Sequence, residues 1–147
     1  MYTTFLALHS VFRWLVLVSL LTAIVVHAQG YFRHRVYTRV DYLIRTIAGA
    51  ISHTQLLVGL TLYFVLSPLA QSFLKNGADG NYHLLFFGVY HITMMVLAIG
   101  IMTVGGSVAK RAETDQIKFK SIAIYFTVTL CLILLAIPWF RPYLRGF

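Results

Sequence analysis

Four ionisable side chains stand where an apolar chain would be expected to have none. His9 and Arg13 fall in the first hydrophobic stretch, His53 in the second and His91 in the third. Imidazole binds metals through either ring nitrogen, and a guanidinium is a bidentate partner for carboxylates. Ionisable groups at membrane depth are costly and face a bundle interior, where they mark functional sites. The chemistry that best suits imidazoles on separate helices is axial ligation of haem iron, one from each of two helices, with the flat macrocycle held between them. Arg13 lies four residues after His9, on the same helix face, where it is placed to pair with a haem propionate. Gly49 lies four before His53, Gly88 three before His91 and Gly59 six after His53. Small residues at those offsets clear room for a macrocycle face, although Gly is frequent in transmembrane helices in any case.

The elements that must position these groups follow from composition. The chain has 147 residues, of which 59% are apolar and 11% charged. Soluble domains carry about 45–50% and about 25%. A mean hydropathy of +0.79 leaves too little polar surface for a soluble domain, and an aromatic content of 15% excludes disorder. Four apolar stretches, over 3–27, 44–66, 84–106 and 122–139, approach the ~20 residues a helix needs to cross hydrocarbon. Their apolar residues do not alternate, which favours helix over barrel strand. Pro68 and Pro138 close the second and fourth stretches. The expectation is one all-α domain over 1–147, an integral membrane four-helix bundle. A cleaved signal peptide ending near Val26-His27-Ala28 is disfavoured, because no basic residue precedes the apolar run and Arg13 interrupts it.

Charge placement orients the bundle. Arg33, Arg35, Arg39 and Arg45 flank the first loop, and Lys110, Arg111, Lys118 and Lys120 the third. The opposite side has Lys75, Arg141 and Arg145. The positive-inside rule then puts loops one and three in the cytoplasm and both termini outside, in a bacterial inner membrane. The net charge of +8 is thereby accounted for without nucleic acid. A rise of ~1.5 Å per residue puts His9 and His91 roughly 9–10 Å below the outer surface and His53 roughly 20 Å below it. All three are expected to face one interior. His27, His34 and His83 lie at span ends or in loops.

Other chemistries fit less well. Cys131 is the single cysteine, so neither an internal disulfide nor a cysteine zinc site is available. The offset of His53 argues against three imidazoles on one zinc or copper ion. No stretch holds a carboxylate, which a proton relay or di-iron centre requires. Nucleophile triads, phosphate loops and internal repeats are absent from the sequence.

Several segments carry a resemblance. They are His9-Ser10-Val11-Phe12-Arg13-Trp14, the run His53-Thr54-Gln55-Leu56-Leu57-Val58-Gly59, Tyr90-His91-Ile92-Thr93-Met94-Met95, Lys118-Phe119-Lys120 and Ile137-Pro138-Trp139. Across nearly the whole chain they resemble a family of small four-helix membrane proteins of the Bacteroidetes group, cytochrome b-like. The resemblance implies a b-type haem bundle in which His9, His53 and His91 are the matching histidines. It departs from the family where Tyr90 replaces the acidic residue that often precedes the third-span histidine, which removes support for a proton-coupled role. The expected function is electron transfer within the membrane by haem b, one group or two, in a subunit of a respiratory complex. The ligand pair expected is His53 with His91, closely followed by His9 with His91. Expected partners are membrane lipid and other membrane subunits, with no nucleic acid and no soluble small-molecule substrate. Two rivals remain at this point: a non-redox accessory subunit whose histidines tie helices together, and a magnesium pigment held by the same histidines.

Overall fold

The computed structural model describes residues 1–139. Arg141 and Arg145 of the basic tail lie outside the described residues. Four long helices, α1 (Tyr2–Phe32), α2 (Arg39–Leu66), α4 (Tyr82–Arg111) and α5 (Asp115–Ala136), are each long and apolar enough to cross a membrane. A short helix, α3 (Pro68–Asn76), joins α2 to α4. There is no strand among the described residues.

The helices outrun the apolar stretches because their ends are set by caps rather than by hydropathy. Thr38 and Asp41 form a reciprocal capping box at the start of α2, which satisfies two amide groups that a helix start otherwise leaves orphaned. Thr114 caps α5 by accepting from the Ile117 amide. Ile137 is extended (φ −69°, ψ 131°) and ends α5, the conformation a residue before proline prefers. Ser67 is extended for the same reason, and Pro68 then opens α3 at its first position, where its missing N–H costs nothing. The Ser67 side chain, accepting from the Ala70 amide, and Pro68 turn the link after the second span into a helix.

The four long helices form a ring in the order α1, α2, α4, α5. Neighbours are antiparallel, α4 and α5 pack most extensively, and α2 and α4 least. The core runs through Leu20, Ala23, Ala98, Met102, Ile122 and Phe126. Two glycines let helices approach closely: a Cβ at Gly30 would run into the Phe119 ring, and one at Gly105 into Tyr125. Phe119 cannot yield easily. It is completely buried, and its ring packs against Tyr37 and His27 with centroids 5.0 and 5.7 Å away, under the Arg35 guanidinium at 5.2 Å. His27, placed at a span end by the sequence, is itself fully buried and bonds the Ala23 carbonyl through Nδ1 at 2.7 Å. Arg35 also pairs with buried Asp41 at 2.9 Å, so this end of the bundle is closed by a polar and aromatic plug.

Gly30→Ala and Gly105→Ala should each destabilise the bundle by about 1–3 kcal/mol, the usual cost of overpacking. Gly100→Ala meets no atom within 4 Å and should gain about 0.5–1 kcal/mol from helix propensity. Circular-dichroism melts of the chain in detergent micelles rank the three. A Gly30→Ala melt at or above wild type would show that the Phe119 wedge is not locked.

Candidate functional site

The other end of the bundle is open. A cavity of about 150 Å³ lies between the N-terminal halves of α1 and α4, the C-terminal half of α2 and the end of α5. His9, Arg13, Gln55, Gly59, Tyr63 and His91 all line it. His9 and His91 come from α1 and α4, which stand diagonally across the ring. Their ring centroids are 6.3 Å apart and their planes are inclined at 74°.

The backbone that presents His91 is unusual. Residues Phe86–Tyr90 form one turn closed by an i→i+5 hydrogen bond, from the His91 amide to the Phe86 carbonyl. A matching wide turn occurs at Leu62–Leu66, closed by the Ser67 amide on the Leu62 carbonyl at 2.7 Å. Such turns occur mostly as single insertions into helices, often at functional sites. The two are joined directly: the Tyr63 hydroxyl donates to the Gly88 carbonyl at 2.8 Å.

Each histidine has a distinct environment. The His91 Nδ1–H donates to the Ala136 carbonyl at 2.8 Å, which assigns the proton to Nδ1 and leaves Nε2 with a free lone pair. His9 Nδ1 is sealed from solvent and has no hydrogen-bond partner among the described residues. The ring edge of His9 packs on Gly59, where an added Cβ would stand 3.2 Å from Cε1. Gln55 holds α1 in place by donating from Nε2 to the His9 main-chain carbonyl at 2.8 Å, while its Oε1 is buried and unpartnered. Arg13 lines the cavity one turn deeper than His9, its guanidinium 5.6 Å from the centre of the Trp14 ring.

Not all the expected site residues converge. His53 does not line the cavity; it is exposed on the outside of the bundle, bridging α2 to α4. Its Nδ1 contacts the Gly49 carbonyl at 2.8 Å and its Nε2 the Thr103 hydroxyl at 3.1 Å. Gly49 accompanies His53 away from the cavity, with open space around its Cβ position. Gly88 is close to the site in sequence, but the Phe73 ring of α3 fills the space it leaves. The glycine that does face the cavity is Gly59. On α2 the lining residues Ser52, Gln55, Leu56, Gly59, Leu62 and Tyr63 follow three- and four-residue spacing, and His53 is rotated about 100° from Ser52 by helix geometry. That stripe was the available signal for Gln55 and Gly59.

Among the described residues, no group of three or more His, Cys, Asp or Glu side chains is placed to hold a metal ion. The site therefore offers two imidazoles and no third donor of that kind. Comparison with protein-family models, curated proteins and solved structures finds no match to this chain.

Replacing Tyr63 by Phe removes the one side-chain bond between the two wide turns and should cost about 1 kcal/mol. Hydrogen exchange of the chain in micelles should speed up over residues 84–92 and stay unchanged over 118–128. Unaltered exchange at 84–92 would show that the turn before His91 stands without Tyr63.

Proposed function

We propose that this chain is a b-type haem-binding membrane protein that passes single electrons, with His9 and His91 as the residues that would hold the haem iron. The observation that carries the reading is the spacing of the two imidazoles. A metal-bound imidazole nitrogen lies ~2 Å from its ion and the ring centre roughly 1 Å further back, so two rings on opposite sides of one ion have centres roughly 6 Å apart. The separation here is 6.3 Å. The lack of a third donor suits a macrocycle, which brings its own equatorial nitrogens, better than it suits zinc, which takes three or four protein ligands. The Ala136 carbonyl orients His91 in the way that outer partners usually orient ligating histidines. The buried, unpartnered Nδ1 of His9 is the kind of atom that needs a further partner.

A haem with two axial imidazoles supplies one-electron transfer and leaves no iron position open to a substrate. The work of this chain is then to hold, to orient and to exclude water. His9 and His91 fix the position, Gly59 keeps the His9 edge clear, and Arg13 is the cation available to a propionate. The cavity is smaller than the ~300–1,000 Å³ usual for pockets that enclose whole small molecules. Loading it requires lining side chains such as Leu6, Leu56 and Met95 to move aside, two of which, Leu56 and Met95, pack against the core. A haem held this way would exchange electrons only with other redox groups, which favours a subunit of a respiratory assembly. Its resemblance to the cytochrome b-like Bacteroidetes family agrees with this, as does the basic end, which would face the cytoplasm of a bacterial inner membrane with both termini outside.

One set of contacts favours a second reading. His91 to Ala136 and His53 to Thr103 each tie one helix to another, as histidines do when they serve only as interhelical glue. A non-redox accessory subunit would need no more than that.

Absorption spectra with and without dithionite separate the two. The haem reading expects a sharp reduced band that is lost in His9→Ala and in His91→Ala and retained in His53→Ala. Protein that stays colourless when haem is supplied sinks it and leaves the accessory role. A band lost in His53→Ala but kept in His9→Ala would move the ligand pair to His53 and His91.

A further inference from the structure

The basic end of the bundle carries a second cavity of about 330 Å³, between the start of α2, the end of α4 and the start of α5. Arg39 and Arg45 line it from α2, Lys110 from α4 and Lys118 from α5, with the phenols of Tyr37 and Tyr42. Burial pushes the Tyr37 phenol above its ordinary pKa, with Arg45 opposing that rise, and its hydroxyl is turned to His27 Nε2 at 3.4 Å rather than to the cavity's cations.

Little negative charge answers these cations. The two ion pairs among the described residues are Arg35–Asp41 and Lys118–Asp115. Of the four lining cations only Lys118 has a carboxylate partner, and the other oxygen of Asp115 is taken by the Tyr37 amide at 3.0 Å. Asp41 is committed to Arg35 and Thr38. Arg45 is fixed in the wall, donating to the Gly106 carbonyl at 2.8 Å and lying 4.8 Å from the centre of the Tyr42 ring. One of its five N–H donors is used there, and the rest remain for an anion. Arg39 and Lys110 are exposed at the rim.

The surroundings distinguish a lipid from a free anion. Large apolar side chains are exposed along the flanks that lead away from the cavity, Val40, Leu43 and Ile47 on α2 and Val104 and Val108 on α4. Arg45 lies eight residues from His53, roughly 12 Å along the helix axis, which puts the cations at headgroup level when the helices span a bilayer. A concave basic site at the membrane surface with an apolar flank below it matches an amphiphile with a phosphate head. We infer that this cavity binds the phosphate of an anionic phospholipid, with Arg39, Arg45 and Lys110 on the oxyanion and the acyl chains along α2 and α4. The inference rests on the chain lying in a membrane and is independent of haem.

Native mass spectrometry of the full chain released from detergent tests it, with phosphatidylglycerol and phosphatidylcholine offered in equal amounts. Wild type should retain phosphatidylglycerol in preference. Arg39→Gln with Lys110→Gln should cut that retention about tenfold or more, the scale set by two cations at a membrane surface. Arg33→Gln with Lys120→Gln removes two exposed cations that do not line the cavity and, because neither reaches the bound oxyanion, should change retention less than about twofold. Arg39→Gln alone, an exposed single change, provides an intermediate loss to read if the double variant melts early. Equal losses in the two double variants, or no preference over phosphatidylcholine, overturn the site. Displacement by millimolar inorganic phosphate assigns the oxyanion to a soluble source and overturns the lipid.

Discussion

The hydrogen bond from His91 to the Ala136 carbonyl organises the open half of the molecule, and a proline makes it possible. A helix leaves its last four carbonyls without backbone donors, and in an apolar setting each needs a partner. Pro138 removes the N–H that would have served the Leu134 carbonyl, and the Trp139 indole takes its place at 2.8 Å. Ala136, the last helical residue, receives the imidazole of α4 instead. One local break thus fixes where α5 stops, ties α4 to it and selects the tautomer of His91. The wide turn at Phe86–Tyr90 serves the same geometry, since it ends on the His91 amide itself. An inserted residue rotates everything beyond it around the helix axis, so the turn helps set which way His91 faces.

The two ends of the bundle treat their polar groups differently. At the basic end, Asp41 is satisfied by Arg35 and Thr38, the partly exposed Asp115 by Lys118 and the Tyr37 amide, and His27 by the Ala23 carbonyl, while Gln116 Oε1 is buried without a partner. The Phe119 wedge and the glycine it packs against close that end sterically. At the other end, His9 Nδ1 and Gln55 Oε1 are buried without partners. Unsatisfied buried groups cost about 1–3 kcal/mol each, and two of them, His9 Nδ1 and Gln55 Oε1, belong to residues lining one cavity, where a ligand would recover that cost.

Much of this was legible in the sequence, and the failures have physical causes. The four apolar helices and the stops at Pro68 and Pro138 follow from hydropathy and from the missing proline N–H. Depth along a helix is also readable, because rise per residue is constant; His9 and His91 come from distant parts of the chain and still meet. The direction a side chain faces is harder to read. His53 stands at a plausible depth but faces away from the cavity on α2, because neighbouring residues differ by about 100° and the apolar residues of a membrane helix surround it on all sides. In a soluble helix the polar face would have shown which side was inside. The space beside Gly88 is hidden for a related reason, being filled by Phe73 of α3 from a distant part of the chain. His27 was passed over because a position near a span end looks hydrated, whereas here the following loop folds back and Tyr37 and Phe119 cover it.

The ring order also explains why a site forms at this place and not elsewhere. α1 and α4 are diagonal, so their facing side chains meet across the middle of the bundle rather than along a packed seam. Near the basic end large residues such as Phe119 and Phe126 fill that middle space. Near the other end the facing positions are taken by His9, Gln55, Gly59 and His91, which are too short or too polar to close it. The seam between α2 and α4 is the least packed of the four, and Gln55 to His9 and Tyr63 to Gly88 are the side-chain bonds that hold α2 to its neighbours at this end. A group seated between the imidazoles would add the cross-bundle contact that those two bonds supply only at its edges. Ligand binding and bundle stability are then linked, because whatever binds only the folded form also stabilises it.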